Sequence, residues 1–182
     1  MDKRTEIIIG ATPVFEAEGF RGIGIDRVIA PSGASTRTLY KHFGSRDGLV
    51  TAVLEARHHG FMQQLEAEPW QDDPVGSMFD SLQLWLTSHG ARGCMLLRAR
   101  SEYAGASEEI VELVRRQKSE FVAEVQRRIL AALGRHDAKL STQVWLLFEG
   151  ATASASVVGV SVIEDAKEAA LSLIASAQAG KK

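Results

Sequence analysis

One short stretch, residues 35–43, constrains the fold of this chain more than any other. It reads as a helix of barely two turns, preceded by Gly33 and followed by Gly44. Leu39 and Phe43 lie four positions apart and would share an apolar face, whereas the remaining positions carry hydroxyl, basic or aromatic side chains. An isolated helix of this length is unstable in water. The rest of the chain must therefore hold it in place.

Two helices are predicted ahead of this stretch. The first has a single apolar stripe and ends at Gly19, although Pro13 should kink and interrupt it. The second is short and should end early, because Pro31 disfavours helical angles in the residue before it. Gly33 suits the positive φ of a tight turn, and two short helices joined by such a turn form a helix-turn-helix. In that motif the second helix, here residues 35–43, enters the major groove of DNA.

The distribution of charge is typical of a DNA-binding module. The net charge is −2 at pH 7, yet residues 19–50 contain five cations and only two acids. Such a local basic face is the footprint of phosphate binding, whereas a non-specific DNA-packaging protein would be basic overall. Ser45 can cap a fourth helix, whose free N–H groups together with Arg46 would form a phosphate site.

Length and composition narrow the class of protein further. The chain has 182 residues, of which 45% are hydrophobic, and this is enough for one or two compact domains. It has a single cysteine, Cys94, so an internal disulfide is impossible. No apolar run is long enough for a signal-peptide core or a membrane span. We therefore expect a cytoplasmic protein that makes no membrane contact.

Four short segments resemble the DNA-binding domain of the tetracycline-repressor (TetR/AcrR) family, in order and spacing and without a gap: residues 24–30, 33–35, 38–43 and 45–49. The resemblance implies an all-α chain. The predicted chain has an N-terminal three-helix helix-turn-helix DNA-binding domain at 1–48, with a connecting fourth helix at 45–66. A C-terminal helical ligand-binding and dimerisation domain is predicted at 67–182. It further implies a homodimer that binds palindromic operator DNA and is released by a small-molecule inducer. That function requires no enzymatic activity, cofactor or metal.

The predicted DNA-binding residues lie on the short helix and next to it. They are Arg27, Ser35, Thr36, Arg37, Thr38, Tyr40, Lys41, His42, Ser45 and Arg46. The resemblance assigns phosphate contacts to Thr38, Tyr40 and Arg46. Arg37 departs from the family pattern, and a bidentate arginine–guanine pair gives roughly 1–3 kcal/mol of base discrimination. The alternative is that Tyr40 is a core aromatic residue and His42 only a cation at the helix end.

Helices are also predicted for the remainder, and the last two, near 138–158 and 164–177, are apolar on almost every side. A helix of that kind is buried on every side. We therefore predict a symmetric dimer interface, formed by Ala151, Ala155, Val158, Ala166, Ala170 and Leu173. The alternative is that both helices fold back on the helices before them.

A ligand site is predicted from aromatic residues and one carboxylate of the C-terminal region. The candidates are Phe79, Trp85, Cys94, Met95, Tyr103, Phe121, Trp145, Phe148 and Glu149. Core packing is the alternative for the aromatic residues. Cys94 could sense oxidants or electrophiles, or it could be a small buried hydrophobic residue. An enzyme with Cys94 as nucleophile is the rival class, but no histidine–carboxylate arrangement supports it.

Overall fold

The computed structural model describes residues 1–67, 70 and 72–180. Within these residues the chain forms nine α-helices and no strand, which confirms the all-α prediction. The helices are α1 Lys3–Glu18, α2 Ile25–Ile29, α3 Thr36–Phe43, α4 Arg46–Ala67, α5 Gly76–His89, α6 Met95–Tyr103, α7 Glu108–Leu133, α8 Ala138–Val158 and α9 Val162–Ala179.

The start and end of α3 follow the local signals in the sequence. The Ser35 hydroxyl accepts a hydrogen bond from the backbone N–H of Thr38 at 3.1 Å and so caps the helix. Gly33 and Gly44 have φ values of 61° and 73°, a region that favours glycine. The helix-turn-helix prediction is confirmed in this local geometry, since α2 ends at Ile29 and a 3-10 turn over Ala30–Ser32 leads into Gly33.

One proline behaves differently from the prediction. Pro13 does not interrupt α1, which runs without a break from Lys3 to Glu18. Pro13 lies on the exposed side of the helix, whereas Ala11 and Phe15 on either side of it are fully buried. Burial of these flanking residues therefore keeps α1 helical through Pro13.

The chain divides into two compact units, each made of two segments. Unit 1 comprises Met1–Gly60 and Met95–Arg116, and unit 2 comprises Phe61–Cys94 and Gln117–Lys182. The domain boundary expected near residue 67 stays a prediction, because these units describe packing alone. Residues of α6 pack with the N-terminal helices, a grouping that the sequence does not suggest.

Polar bonds explain why α6 belongs to unit 1. The Glu102 carboxylate accepts hydrogen bonds from the backbone N–H groups of Phe20 at 2.8 Å and Arg21 at 3.0 Å. Arg98 donates to the Glu16 carbonyl at 2.9 Å and pairs with Glu102. Hydrogen bonds to a charged group are stronger than neutral ones. This set of bonds fastens α6 to the end of α1 and to the turn that follows it.

The interior of unit 2 contains one fully buried charged side chain, Arg128. Its guanidinium donates to the Glu124 carboxylate at 2.6 Å and to the Leu65 carbonyl at 2.7 Å. It also donates to the Ser77 hydroxyl at 2.7 Å and to the Pro74 carbonyl at 3.1 Å. A buried cation is tolerated when it is paired and hydrogen-bonded in this way. Arg128 thereby joins α7 to the end of α4 and the start of α5.

Burial corrects part of the predicted dimer interface. Ala151, Ala155 and Ala170 are at most 4% exposed and lie in the interior of unit 2, where α8 packs against α9. These three small side chains are therefore not available to a partner subunit. Val158 is exposed, and Ala166 and Leu173 are half-buried. The fold-back alternative thus accounts for one side of α8, and the other side exposes Leu146, Val157 and Val158 among polar residues.

Candidate functional site

The short helix α3 presents one face to solvent and buries the other. Leu39 is fully buried and Phe43 half-buried, whereas Arg37, Lys41 and His42 are exposed. Tyr40 is 49% exposed, which excludes the core-aromatic alternative for this residue. The exposed face combines three basic or imidazole side chains with a phenol, a set that can bind both phosphate and base edges.

Three hydroxyl residues form hydrogen bonds at the start of α3. Thr36 donates through its hydroxyl to the Asp26 carboxylate of α2 at 3.0 Å. The hydroxyls of Ser35 and Thr38 are 2.8 Å apart, so Thr38 belongs to the helix cap. These bonds orient the second helix of the motif on the first. Thr36, Ser35 and Thr38 therefore have structural partners in this chain, and their predicted DNA contacts stay predictions.

The start of α4 is tightly packed against the end of α3. The Ser45 hydroxyl accepts a hydrogen bond from the Gly48 N–H at 2.9 Å, which confirms its capping role. A Cβ at Gly48 would overlap the Phe43 carbonyl oxygen, so only glycine fits there. Arg46 is half-buried and donates to the Phe20 carbonyl at 2.5 Å. Its guanidinium thus already binds the turn after α1, and its phosphate contact stays a prediction.

Three further cations lie on α1 and α2. Arg27 pairs with Glu18 at 2.8 Å while its side chain remains 70% exposed. Lys3 donates to the Ser32 carbonyl at 3.1 Å, and the guanidinium of Arg4 lies 5.4 Å from the centre of the Phe43 ring. Sequence patterns do not reveal Lys3 and Arg4, because they lie 29 and 39 residues from the residues that they contact.

Tyr103, which the sequence placed in a ligand site, belongs to the core of unit 1 instead. Its ring packs against Phe20 at 6.4 Å, and its hydroxyl donates to the Asp47 carboxylate at 3.2 Å. Burial, together with the negative charge of Asp47, raises the pKa of Tyr103 to about 12. Met95 also belongs to unit 1. The predicted ligand set is therefore divided between the two units, and the ligand roles of Tyr103 and Met95 stay predictions.

Four other ligand candidates come together in unit 2 and form an aromatic cluster with Phe61. They are Phe79, Trp85, Phe121 and Phe148. The rings of Phe121 and Phe148 are 4.6 Å apart, and those of Phe61 and Trp85 are 5.4 Å apart. Phe79 meets Phe148 at 5.7 Å. Phe61 was absent from the predicted set, since it lies in a helix that the sequence analysis treated as a connector.

A charged pair lies beside the aromatic cluster. The Lys118 ammonium donates to the Glu149 carboxylate at 2.6 Å, and the Trp145 indole donates to the same oxygen at 3.2 Å. Burial opposes the charged form of Lys118, but Cys94 and Glu149 outweigh it and raise the pKa of Lys118. Cys94 therefore has a basic neighbour in space, which its neighbours in sequence did not reveal.

The geometry of unit 1 defines a class: an all-α protein with a helix-turn-helix whose second helix offers a basic, aromatic face. Residues 7–53 match the sequence model of a family described as "Bacterial regulatory proteins, tetR family". Residues 7–53 of this chain are thus similar to the DNA-binding region that this family model describes. The predicted resemblance is confirmed for this part of the chain.

Two curated relatives match the same region. The HTH-type transcriptional activator FasR of Mycolicibacterium smegmatis is 37% identical over 57 residues, which are 31% of this chain and 26% of FasR. The HTH-type transcriptional regulator LmrA of Bacillus subtilis is 37% identical over 60 residues, which are 32% of each chain. The chain thus matches about a quarter to a third of the length of these relatives.

Solved structures extend the similarity of fold to the whole chain. SCO4454, a TetR-family transcriptional regulator from Streptomyces coelicolor, superposes with a TM-score of 0.87 at 24% identity, over 97% of this chain and 96% of that one. A TetR transcriptional regulator from Chloroflexus aurantiacus gives 0.80 at 18% identity, over 95% and 94%. Along the described part of the chain, no helix is both long and apolar enough to cross a membrane.

Proposed function

We propose that this protein is a homodimeric, sequence-specific DNA-binding transcriptional regulator, a repressor that a small-molecule inducer releases from a palindromic operator. The observation that carries the proposal is α3, a helix anchored by buried Leu39 that presents Arg37, Tyr40, Lys41 and His42 to solvent. Helix-turn-helix proteins read bases in the major groove with such a face. This function needs no covalent chemistry.

A dimer is required because one α3 reads only one half-site. Palindromic operators match the two-fold symmetry of a dimer, with half-sites about one helical turn of DNA, roughly 34–36 Å, apart. The exposed side of α8 supports a self-complementary interface. Leu146 and Val157 are 57% and 83% exposed, and a surface groove of about 560 Å³ is lined by Gln143, Leu146, Leu147, Ala169, Ser172 and Leu173. Exposed apolar surface of this kind favours association of subunits.

An inducer site is supported by the aromatic cluster of unit 2 and its buried Lys118–Glu149 pair. Ligand sites are largely apolar and contain a few placed polar groups. Under the proposal, a ligand that binds one conformation of the dimer more tightly shifts the population toward that conformation. If the α3 helices of that conformation do not match the half-site spacing, affinity for the operator falls.

The test of DNA binding is a gel shift with the DNA upstream of the protein's own gene. We expect a sequence-specific complex whose affinity falls steeply as salt rises, because phosphate contacts release counterions. Arg37→Ala should relax base preference at one operator position by about 1–3 kcal/mol. The matched control is Arg115→Ala, which removes an exposed arginine of α7 outside the motif. Equal binding of operator and scrambled DNA would refute the proposal.

The mode of regulation needs a separate measurement. Deletion of the gene should raise transcription from promoters that carry the bound sequence, since a repressor blocks them. A fall in transcription would establish activation instead, which is the role that the name of FasR gives for that relative.

A further inference from the structure

We infer that the ligand of unit 2 is an uncharged aromatic molecule that carries a hydrogen-bond donor, such as a phenolic hydroxyl. This inference rests on the proposed function, in which unit 2 binds a regulatory ligand. The observation behind it is a set of buried polar atoms that have no hydrogen-bond partner among the described residues. Three of these lie in helices of unit 2 that form the aromatic cluster: Ser81 Oγ, Gln117 Oε1 and Glu149 Oε2.

Gln117 and Glu149 lie on the two helices whose rings meet in the aromatic cluster. Gln117 is 3% exposed and precedes Phe121 by one helical turn, so the two share a face of α7. Phe121 contacts Phe148 at 4.6 Å, and Glu149 follows Phe148 directly in α8. A bond between the two helices, from Lys118 to Glu149 at 2.6 Å, confines the pair to this neighbourhood. Each of the two helices that supply the Phe121–Phe148 contact thus carries one unpaired acceptor.

The unpaired atoms indicate that the ligand donates hydrogen bonds. A carboxylate oxygen and an amide oxygen accept and never donate. Leaving a buried acceptor unpaired costs about 1–3 kcal/mol, a penalty that a donor on the ligand would remove. The other oxygen of Glu149 already accepts from Lys118 and from Trp145, so Oε2 is the one that is free to accept from a ligand.

The charges indicate that the ligand is neutral. Lys118 and Glu149 compensate each other, and their side chains are only 18% and 14% exposed. A charged ligand would add a buried charge without a counter-ion, at a penalty of several kcal/mol. The rings of Phe121, Phe148 and Phe61 favour an aromatic partner through offset or edge contacts.

The cluster extends to the surface, which a binding site requires. Phe61, Trp85, Cys94 and Trp145 are all half-buried, whereas Phe79, Phe121 and Phe148 are at most 5% exposed. Phe61 and Trp85 are therefore the members of the aromatic cluster nearest to solvent, and Phe79, Phe121 and Phe148 form its buried interior. Under the inference, a flat ring reaches the cluster beside these half-buried side chains.

The experiment is isothermal titration calorimetry of the whole protein with three probes of one shape. The first probe, 2-naphthol, is neutral and carries a hydrogen-bond donor. The second, 2-methoxynaphthalene, is neutral and has no donor, and the third, 2-naphthoate, is an anion. We expect 2-naphthol to bind at least about tenfold more tightly than either of the others, because buried unpaired acceptors discriminate strongly for donors. Equal affinity for 2-naphthol and 2-methoxynaphthalene, tightest binding of 2-naphthoate, or no binding of any probe would overturn the inference.

Two variants attribute the preference to named atoms. Gln117→Met removes one acceptor with little change in shape. It should reduce the difference in affinity between 2-naphthol and 2-methoxynaphthalene. Gln126→Met, the same change at an exposed position of α7, should leave this difference in affinity unchanged. Glu149→Gln leaves Lys118 without a counter-charge and should shift preference toward 2-naphthoate. Thermal unfolding of each variant shows that it is folded. An undiminished affinity ratio of 2-naphthol to 2-methoxynaphthalene in folded Gln117→Met, together with an unchanged relative affinity for 2-naphthoate in folded Glu149→Gln, would overturn the inference.

A gel shift of the same preparation separates this inference from the proposed function. Binding of 2-naphthol by a protein that does not bind its upstream DNA would refute the regulator and leave the ligand class standing. Specific DNA binding by a protein that binds none of the three probes would refute the ligand class and leave the regulator standing.

Discussion

Replacement of Arg128 by methionine should be the most destabilising single change in the interior of unit 2. The guanidinium is fully buried and donates to Glu124, Ser77 and two backbone carbonyls. Breaking one partner of a buried ion pair costs about 3–5 kcal/mol, because the other charge stays buried. Arg127 also pairs with Glu124 at 2.7 Å, so it still neutralises part of the Glu124 charge when Arg128 is replaced. The unpaired carbonyls add a penalty of about 1 kcal/mol each.

We therefore expect Arg128→Met to lower the free energy of unfolding by about 3–5 kcal/mol in a urea titration. For a chain of this size that loss corresponds to a fall in Tm of roughly 10 °C. Arg128→Met combined with Glu124→Leu should recover about half of the loss, since the buried carboxylate is removed as well. Arg115→Met is the control, because an exposed pair contributes less than about 1 kcal/mol.

The reasoning fails if Arg128→Met is no more destabilising than Arg115→Met. It also fails if the double variant is less stable than the single one. Either result would mean that the buried bonds of Arg128 contribute little relative to apolar packing.

Three other changes have defined outcomes. Tyr40→Ala should weaken operator binding about tenfold, the equivalent of one lost contact of about 1.4 kcal/mol, while sedimentation still shows a dimer. Leu146→Glu should give monomers in sedimentation with unchanged helix content by circular dichroism, and a persistent dimer would relocate the interface. Tyr103 has a raised pKa in the folded chain, so its stabilising effect is complete below about pH 10 and is lost as pH rises toward 12. Tyr103→Phe should abolish that part of the alkaline fall in urea midpoint, and an identical fall in both proteins would contradict the assignment.

Local signals explain what the sequence could predict. Ser35, Gly33 and Gly44 act within four residues of the backbone that they shape, so the helix-turn-helix could be read directly. A helix that is apolar on almost every side, such as α8, has no pattern in its sequence that shows which side is buried. Burial of Ala155 against α9 and exposure of Val157 had to come from the structure.

Contacts between distant segments were beyond sequence reasoning. The Glu102 carboxylate binds Phe20 and Arg21, which lie 82 and 81 positions earlier in the chain. Nothing near α6 in the sequence therefore indicated that it packs with α1. Lys118 of α7 likewise interacts with Cys94, which lies in the loop before α6. At Pro13 a local rule gave the wrong prediction. Proline usually interrupts a helix, but burial of the residues around Pro13 keeps α1 helical.

The bonds of Glu102 have a consequence for genetics. In a screen for variants that lose DNA binding, Gly19, Arg98 and Glu102 should yield alleles although none of them belongs to the face of α3. A side chain at Gly19, where φ is 85°, would meet the Glu102 carboxylate and Arg98. Such alleles should be suppressed by second changes at the same three positions, although Arg98 and Glu102 lie 79 and 83 positions after Gly19 in the sequence.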